Sequence, residues 1–516
     1  MVNTPADTPT TVVSCPGKVL FAGGYLVLDR QHRGLVVATP SRFFTVVQDD
    51  PETNADTIAS ERGTEDSFHI RVASPQFEDG LWEYEARRTD GEWVVNAVPK
   101  EGASTNTFVH LSVQATLQVA SALNPTATFR NLAVTIVGSN DFYSQSREDT
   151  EPAPFTPLNC TIRNVHKTGL GSSAAMVTSL TSSLLLHWTS PLSSTSSSTS
   201  SRLPNPDDQT VHFLHNLAQY VHSLAQGKVG SGFDVSAAVY GSQVYQRFAI
   251  ECLEDLLDPN SSRGSKITSS SLLSVLSPTL NPSWIAPSTS GSVSPFSLPP
   301  HTLLLLADVD AGSNTPSMVG KVMQWKKAQP EEAERVWREL GQSNERVKEV
   351  FTELRKASED GKEEYEKEVE RLSQLPVKEW TSSSLPFAAA AQRILDTRAL
   401  MRYMGESSGV PIEPKEQTAL LDACSALPGV VGAGVPGAGG YDAVWVLCLA
   451  PPTSSAPQPV EAVESLLRSY TAMSVAPLSK NAWVRGGTVE GERGLLRERL
   501  EEVEGLGEVV ERGRRM

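Results

Sequence analysis

A segment rich in glycine and serine, KTGLGSSAAMV at residues 167–177, is the feature that most constrains this chain. Gly169 and Gly171 lack a Cβ atom, so the backbone can bend sharply there and approach a ligand closely. The following residues predict a helix beginning near Ser172, whose first N–H groups have no partner in the helix and carry partial positive charge. The segment therefore predicts a phosphate-binding loop. The alternative is a glycine-rich turn with a serine N-cap and no ligand.

Length and charge restrict the class of protein. A chain of 516 residues is long for a single core, so we expect two or more domains. The net charge of −16, without a long basic run, argues against nucleic acid or a membrane surface as the main partner. We find neither a signal peptide nor an apolar run approaching the ~20 residues that cross a bilayer. Five scattered cysteines without a CxxC pair argue against disulfides and zinc, so we predict a cytoplasmic protein.

Composition divides the chain into four predicted parts. These are an N-terminal domain, a Ser/Pro-rich connecting segment, a C-terminal domain and a charged helical tail, at residues 1–250, 251–300, 301–485 and 486–516. A run of Ser and Thr predicts a disordered insertion at about 189–207. Apolar periodicity predicts helices at 106–123 and 172–188, a helix pair within 330–372, strands at 131–137 and 302–309, and several short strands joined by tight turns within 11–47.

A lysine and a tyrosine follow two glycine-containing turns near the start of the chain. In SCPGKVLFAGGYLVL, at residues 14–28, Lys18 comes after Pro-Gly and Tyr25 after Gly-Gly. A lysine beside apolar strands is often a surface residue that packs its stem on the core. The functional interpretation is a cation directed at phosphate oxygens.

A second glycine-rich segment, AQGKVGSGFDVSAA at residues 225–238, brings Lys228, Ser231 and Asp234 together before a helix predicted to begin near Val235. Asp234 is either a cap of that helix or a carboxylate presented to a transferring phosphoryl group. The sequence alone leaves both interpretations open.

A third segment, GAGVPG at residues 432–437, matches the GxGxxG pattern of dinucleotide-binding proteins. That fingerprint requires a helix to follow, whereas AVWVLCLA predicts a strand, so we reject a nicotinamide dehydrogenase. The glycines instead indicate a loop whose backbone approaches a ligand. The absence of GxxxxGK[ST], HRD and DFG motifs excludes an ordinary P-loop NTPase and a protein kinase.

Together these segments resemble the GHMP kinase superfamily and, within it, the phosphomevalonate kinase family of fungal type. The matching stretches are GKVLFAGGYLVLD, SNDFYSQ, HKTGLGSSAAM, AQGKVGSGFDVSAA, GSNTPSMVGKVMQW and GVPGAGGYDA, at residues 17–29, 139–145, 166–176, 225–238, 312–325 and 434–443. The resemblance implies an α+β GHMP kinase fold, with an N-terminal domain like domain 2 of ribosomal protein S5 and a ferredoxin-like C-terminal domain. The active site would lie between them.

The resemblance also implies the reaction and its participants. ATP would donate its γ-phosphoryl group to (R)-5-phosphomevalonate, giving 5-diphosphomevalonate and ADP in the mevalonate pathway of isoprenoid and sterol biosynthesis. ATP and Mg²⁺ would be the cofactors and 5-phosphomevalonate the small-molecule partner. Whether the protein is a monomer or a homodimer stays open.

The family's motifs assign roles to residues of this chain. The residues implied to hold ATP are Lys167, Thr168, Gly169, Leu170, Gly171, Ser172, Ser173, Ala174 and Ala175. Ser173 would bind Mg²⁺, Lys18 would bridge the donor and acceptor phosphates, and Asp234 occupies the position often described as the catalytic base. The residues implied to contact the substrate are Tyr25, Lys228, Ser231, Gly437 and Gly439, with Lys167 as a further candidate.

Two departures from the superfamily pattern bear on these roles. Mevalonate kinases carry a glutamate as a second Mg²⁺ ligand, and the corresponding stretch YVHSLAQGK offers His222 and no carboxylate. Metal binding would then rest on Ser173, ATP oxygens and water, with Asp234 as a helper. Tyr441 interrupts a run that is richer in glycine in the family.

Two alternative functions remain. A mevalonate kinase of the same fold is disfavoured by Lys167 and by the missing glutamate. A catalytically silent metabolite sensor is disfavoured because Lys18, Ser173 and Asp234 are all retained.

Overall fold

The computed structural model describes residues 9–50, 66–99, 105–144, 153–189, 207–258, 267–284, 293–309, 314–452, 458–488 and 493–516. The insertion predicted at about 189–207 lies almost entirely outside these residues, as do two parts of the predicted connecting segment.

Two sheets organise the described residues. The strands are β1 (Thr10–Ala22), β2 (Arg33–Asp49), β3 (Ser67–Ala73), β4 (Leu81–Thr89), β5 (Glu92–Ala97), β6 (Leu132–Gly138), β7 (Gln243–Gln246), β8 (Val293–Pro295), β9 (Thr302–Val309), β10 (Val430–Gly434), β11 (Ala443–Leu449), β12 (Val475–Pro477), β13 (Val484–Arg485) and β14 (Leu496–Glu498). The first sheet has the order β14-β1-β2-β6-β3-β4-β5, with β7 paired to β2 and β8 to β7. The second has the order β10-β11-β9-β12, with β13 also paired to β9.

The helices are α1 (Thr107–Leu123), α2 (Ser172–Thr189), α3 (Asp208–Gln226), α4 (Phe233–Tyr240), α5 (Glu251–Leu257), α6 (Ser269–Leu276), α7 (Thr315–Ala328), α8 (Pro330–Asp360), α9 (Lys362–Ser373), α10 (Phe387–Ser408), α11 (Lys415–Ser425), α12 (Pro459–Ser469) and α13 (Leu506–Arg515). Helices and mostly antiparallel strands occur together, which confirms the α+β prediction. None of the described helices combines the length and the apolar character needed to cross a bilayer.

Helices α2, α3 and α4 meet where small side chains allow close approach. Ala174, Ala218 and Val235, one from each helix, form a fully buried cluster. Because alanine adds little volume beyond the backbone, the helix axes can come close together at this point. The cluster brings the start of α2 close to the start of α4.

The strands near the start of the chain differ from the prediction of short elements joined by turns. Pro16 and Gly17 lie inside a single long strand, β1, where the register to β2 shifts between Pro16 and Lys18. Proline cannot donate to the strand ladder, and a bulge accommodates this without ending the strand. The predicted Pro-Gly turn is therefore wrong, and Lys18 projects from a bulge in a strand.

The two sheets share one buried core. Phe21 of β1 packs against Trp445 of β11 with ring centroids 4.3 Å apart, and against Phe351 of α8 at 5.7 Å. All three belong to the largest buried cluster. Aromatic packing across the junction favours a fixed relation between the sheets.

The segment predicted as a charged helical tail instead completes the first sheet. Strand β14 pairs with β1, and Leu506, Val509 and Val510 of α13 are buried against residues of β2 and β6. The many charged residues of this segment occupy the other face of an amphipathic helix, so overall composition conceals the apolar face. In the predicted connecting segment, Leu253 and Leu272 are likewise buried in the main core.

All five cysteines lie within the described residues, and each is a free thiol.

Candidate active site

The glycine-rich loop turns directly into α2. Gly169 and Gly171 have φ values of +74° and +81°, a region that residues with a Cβ rarely adopt. The helix begins at Ser172, as the sequence predicts. Thr168 fixes the start of the loop, because its hydroxyl donates to the carbonyl oxygen of Asp141 at 2.5 Å. The loop therefore presents its backbone at a helix N-terminus, the arrangement that suits an anion.

Lys18 lies against this loop. Its backbone N–H donates to the carbonyl oxygen of Leu170 at 2.9 Å, and its ammonium donates to that of Gly169 at 2.8 Å. A Cβ atom at Gly171 would stand only 3.0 Å from Cε of Lys18. The bulge in β1 and the glycines of the loop thus fit together around the lysine side chain.

Two features of the surroundings of Lys18 shift its pKa in opposite directions. Burial lowers the pKa of Lys18, while the carboxylates of Asp234 and Asp442 act to raise it. The ring of Phe233 lies 5.4 Å from the ammonium nitrogen, within cation–π range. Sequence reasoning did not assign a role to Asp442, although it lies within the matching stretch at residues 434–443.

Asp234 lies in the first turn of α4 and does not cap it. The N-cap residue is Gly232, with φ +82°, and no side chain caps this helix end. Oδ1 of Asp234 accepts the backbone N–H of Val235 at 3.0 Å. The structure thus decides against the N-cap interpretation of Asp234 and brings its carboxylate within electrostatic reach of Lys18.

The loop before Asp234 carries two of the five predicted substrate residues. Lys228 is exposed and Ser231 is half-buried. The carbonyl oxygen of Ser231 accepts the hydroxyl of Tyr245 at 2.6 Å, so the backbone of the loop is anchored from β7.

Tyr25, another of the predicted substrate residues, is almost completely buried. It lies in a 3₁₀ helix, Gly24–Leu28, and is only 2% exposed. Its hydroxyl donates to the carbonyl oxygen of Ala438 at 2.9 Å, and burial raises its pKa. Tyr25 therefore links the start of the chain to the late glycine-rich loop.

The two predicted glycines of that late loop have distinct environments. Gly437 has φ +63° and a Cβ there would meet no atom within 4 Å. At Gly439, a Cβ would stand 2.0 Å from the carbonyl oxygen of Ile412, so only glycine fits. The nearby hydroxyl of Tyr441 donates to Glu416 at 3.3 Å.

Ser173 and His222 are neighbours. The serine Oγ lies 3.1 Å from Nε2 of the buried imidazole, which Gln226 also contacts at 3.3 Å. In the described part of the chain, no three His, Cys, Asp or Glu side chains converge on a common point.

A cavity of about 360 Å³ borders the start of α2. Apolar side chains form most of its lining, including those of Trp82, Phe108, Ile136, Tyr143 and Met176. Lys167, Ser172 and Ser173 stand at the edge nearest the glycine-rich loop. No local pattern in the sequence predicts this cavity, because its lining comes from segments far apart in the chain.

Comparisons with known proteins place this geometry in a family. No protein-family model matches the chain. A phosphomevalonate kinase of Aspergillus fumigatus is 37% identical over 468 residues, covering 86% of this chain and 88% of that protein. The peroxisomal phosphomevalonate kinase of Arabidopsis thaliana is 34% identical over 480 residues, covering 85% of this chain and 90% of that protein.

Among solved structures, the Lin0012 protein of Listeria innocua has a similar fold, with a TM-score of 0.54 at 15% identity, covering 91% of this chain and 97% of that chain. That likeness concerns the fold alone. The two kinases are similar to this chain over most of the length of both sequences, and this chain therefore belongs to the phosphomevalonate kinase family.

Proposed function

We propose that this protein transfers the γ-phosphoryl group of ATP to (R)-5-phosphomevalonate, giving (R)-5-diphosphomevalonate and ADP in the mevalonate pathway. The observation that carries the proposal is the position of Lys18. Its ammonium lies at the edge of the glycine-rich loop, with the carboxylates of Asp234 and Asp442 in electrostatic reach. A cation at that point suits a reaction in which two phosphate groups must approach each other.

ATP is proposed to bind with its phosphates along residues 169–175 and its adenine in the cavity beside α2. The apolar lining suits the faces of a purine, and the cavity opens beside Ser172 and Ser173, where the helix begins. The backbone N–H groups of the first turn and the partial positive charge of the helix end would hold the phosphates.

The residues present fit a magnesium ion that keeps most of its ligands from phosphate and water. Ser173 offers a hydroxyl oxygen and Asp234 a carboxylate, and both are oxygen donors, which Mg²⁺ prefers. Bound there, the ion would neutralise charge on the transferring phosphoryl group. His222 holds the Ser173 side chain and is not proposed as a ligand.

The chemistry of the acceptor determines which catalytic groups the protein must supply. A phosphate monoester has a second pKa of about 6, so its attacking oxygen is already mostly ionised at neutral pH. That oxygen forms a bond to the γ-phosphorus as the bond to the β-phosphate oxygen of ATP breaks, and ADP leaves. With little proton to remove, we propose that Lys18 neutralises charge and that Asp234 orients Lys18 and the metal.

The substrate's phosphate and carboxylate are proposed to bind near Lys228, Ser231 and Gly437, with Lys167 facing the nucleotide side. Tyr25 is proposed to hold the late loop that carries Gly437, since its hydroxyl already has a main-chain partner.

One coupled assay of ADP release tests the proposal. The purified protein is offered 5-phosphomevalonate, mevalonate, galactose and homoserine in turn, with MgATP. We expect turnover with 5-phosphomevalonate alone. Turnover with mevalonate would identify a mevalonate kinase, and ATP binding without any turnover would identify a silent sensor. A cytoplasmic location stays a prediction; the Arabidopsis relative is named peroxisomal.

A further inference from the structure

Arg247, directly after β7, connects two segments of the proposed acceptor site. Its Nη1 donates to the carbonyl oxygen of Leu28 at 2.7 Å, and its Nη2 donates to those of Gly230 at 2.5 Å and Val229 at 3.3 Å. Leu28 ends the 3₁₀ helix that contains Tyr25. The arginine therefore joins the segment that holds the late glycine-rich loop to the segment that leads into Asp234.

Tyr245, which lies in β7 two residues before Arg247, holds the same loop in place. Its hydroxyl donates to Ser231, the next carbonyl along the loop. Gly232 has φ +82°, and a Cβ there would stand 2.9 Å from the Tyr245 hydroxyl oxygen. Residues 227–232 form no regular element, so these side-chain bonds define where the loop lies.

The guanidinium acts through its geometry. Among the described residues, no carboxylate lies within ion-pair distance of Arg247; its two Nη atoms donate to main-chain oxygens, and its buried Nε has no hydrogen-bond partner. Asp29, the nearby acid of the Leu28 segment, is paired with Lys326 at 3.0 Å. A planar guanidinium can donate in two fixed directions at once, whereas a lysine ammonium at the end of a flexible stem cannot reproduce that fork.

We propose that Arg247 is a positioning residue for the phosphoryl acceptor: it sets the separation between the Tyr25 helix and the loop that presents Ser231 and Asp234. The inference rests on the proposed function, because it assumes that the acceptor binds to the loop containing Ser231 and to the late loop that Tyr25 holds. ATP is proposed to bind on the other side, along α2. Loss of Arg247 therefore affects the acceptor more than the nucleotide.

The test compares Arg247→Lys with Arg371→Lys in the full-length protein. Arg371 is an exposed arginine of α9 that pairs with Glu368 far from the site. We expect Arg247→Lys to lower kcat about 10- to 100-fold and to raise KM for 5-phosphomevalonate while KM for ATP changes less than about twofold. Tyr245→Phe should shift the same constants less, and Arg371→Lys should match the wild type.

Chemical rescue separates positioning from general damage. In Arg247→Ala, millimolar guanidinium should restore part of kcat, whereas the same concentration of methylammonium should not. Unchanged constants in Arg247→Lys would overturn the inference, and so would equal increases in both KM values or rescue by both cations.

Hydrogen exchange tests the positioning role of Arg247 independently of the proposed function. If the wild type turns over no substrate, the proposed function fails, but the positioning claim can still be measured. Backbone amides of residues 24–28 and 228–232 should exchange faster in Arg247→Lys than in the wild type, while those of α2 should not change. Equal exchange in both proteins would refute the positioning role.

Discussion

Nε2 of His222 lies 3.1 Å from Oγ of Ser173, in the first turn of the helix that follows the glycine-rich loop. The imidazole thus fixes the hydroxyl proposed to meet the metal. His222→Phe keeps a ring of similar size and removes this partner. We expect both His222→Phe and Ser173→Ala to lower kcat/KM for MgATP, and a double-mutant cycle should show a coupling of about 1 kcal/mol. Strictly additive effects would mean that the two side chains act independently.

Lys18 and Asp234 should differ in their importance for the chemical step. Because the acceptor oxygen is already ionised, we expect Lys18→Met to lower kcat more than Asp234→Asn. Single-turnover rates at saturating MgATP and 5-phosphomevalonate measure the difference. Comparable losses in both variants, on the order of 10³-fold or more, would show that Asp234 performs essential proton or metal chemistry.

Replacing Gly169 and replacing Gly171 by alanine should change different kinetic constants. A Cβ at Gly171 would press on Cε of Lys18 at 3.0 Å, whereas a Cβ at Gly169 would meet no protein atom within 4 Å and would enter the proposed phosphate site. We therefore expect Gly171→Ala chiefly to lower kcat and Gly169→Ala chiefly to raise KM for ATP. Gly91→Ala, at φ +85° in a distant hairpin, controls for backbone strain alone. Identical kinetic profiles for the two loop variants would contradict this division.

Glu413 is the centre of a buried ion-pair network. Its fully buried carboxylate accepts Arg398 at 2.7 Å and Arg402 at 3.0 Å. Burial opposes ionisation, but the two guanidiniums hold the pKa of Glu413 below its usual value. Glu413→Gln leaves Arg398, at 4% side-chain exposure, with only the exposed carboxylate of Asp422 at 3.0 Å as a charged partner, and we expect a loss of up to about 3–5 kcal/mol in the free energy of unfolding.

Glu368→Gln is the matched control for Glu413→Gln. Glu368 pairs with Arg371 on the surface, at 18% and 42% side-chain exposure, so its loss should cost less than about 1 kcal/mol. Denaturant unfolding of both variants measures the two values. Similar losses would indicate that the buried network contributes no more than a surface pair.

His215 predicts a pH dependence of stability. Burial lowers its pKa from 6.5 to about 4, with a smaller contribution from His212. Between these values the unfolded chain binds a proton that the folded protein does not, so stability falls as the pH falls from 6.5 to 4 and then levels off. The loss approaches about 3 kcal/mol for this group. Unfolding curves across that range should show a smaller slope in His215→Gln than in the wild type; an unchanged slope would exclude His215 as the source.

Local patterns in the sequence were sufficient for several parts of the fold. The start of α2 at Ser172 follows from loop glycines before a run of small residues, and the strand predicted at 302–309 follows from an uninterrupted apolar run. Both features depend on residues adjacent in the chain. The family resemblance is likewise confirmed by curated relatives, because motif spacing is a property of the sequence itself.

Features built from distant segments were not predictable in this way. The contact of Tyr25 with Ala438 joins residues 413 positions apart, and no local pattern indicates it. The same holds for Arg247, which no sequence motif singles out and which donates to Leu28 across 219 positions. The apolar face of α13 was not predicted, because the prediction relied on the overall charge of residues 486–516 and not on the spacing of its apolar residues.

Strand β14 lies beside β1, the strand that carries Lys18, and the hydroxyl of Ser14 donates to Glu498 across 484 positions. At a synthesis rate of roughly 5–20 residues per second, Ser14 is made about half a minute to a minute and a half before Glu498. During that interval, the backbone N–H and C=O groups of β1 that later pair with β14 have no strand partner. Unpaired strand edges of this kind promote aggregation of nascent chains. The lysine-bearing strand thus acquires this neighbour long after its own synthesis.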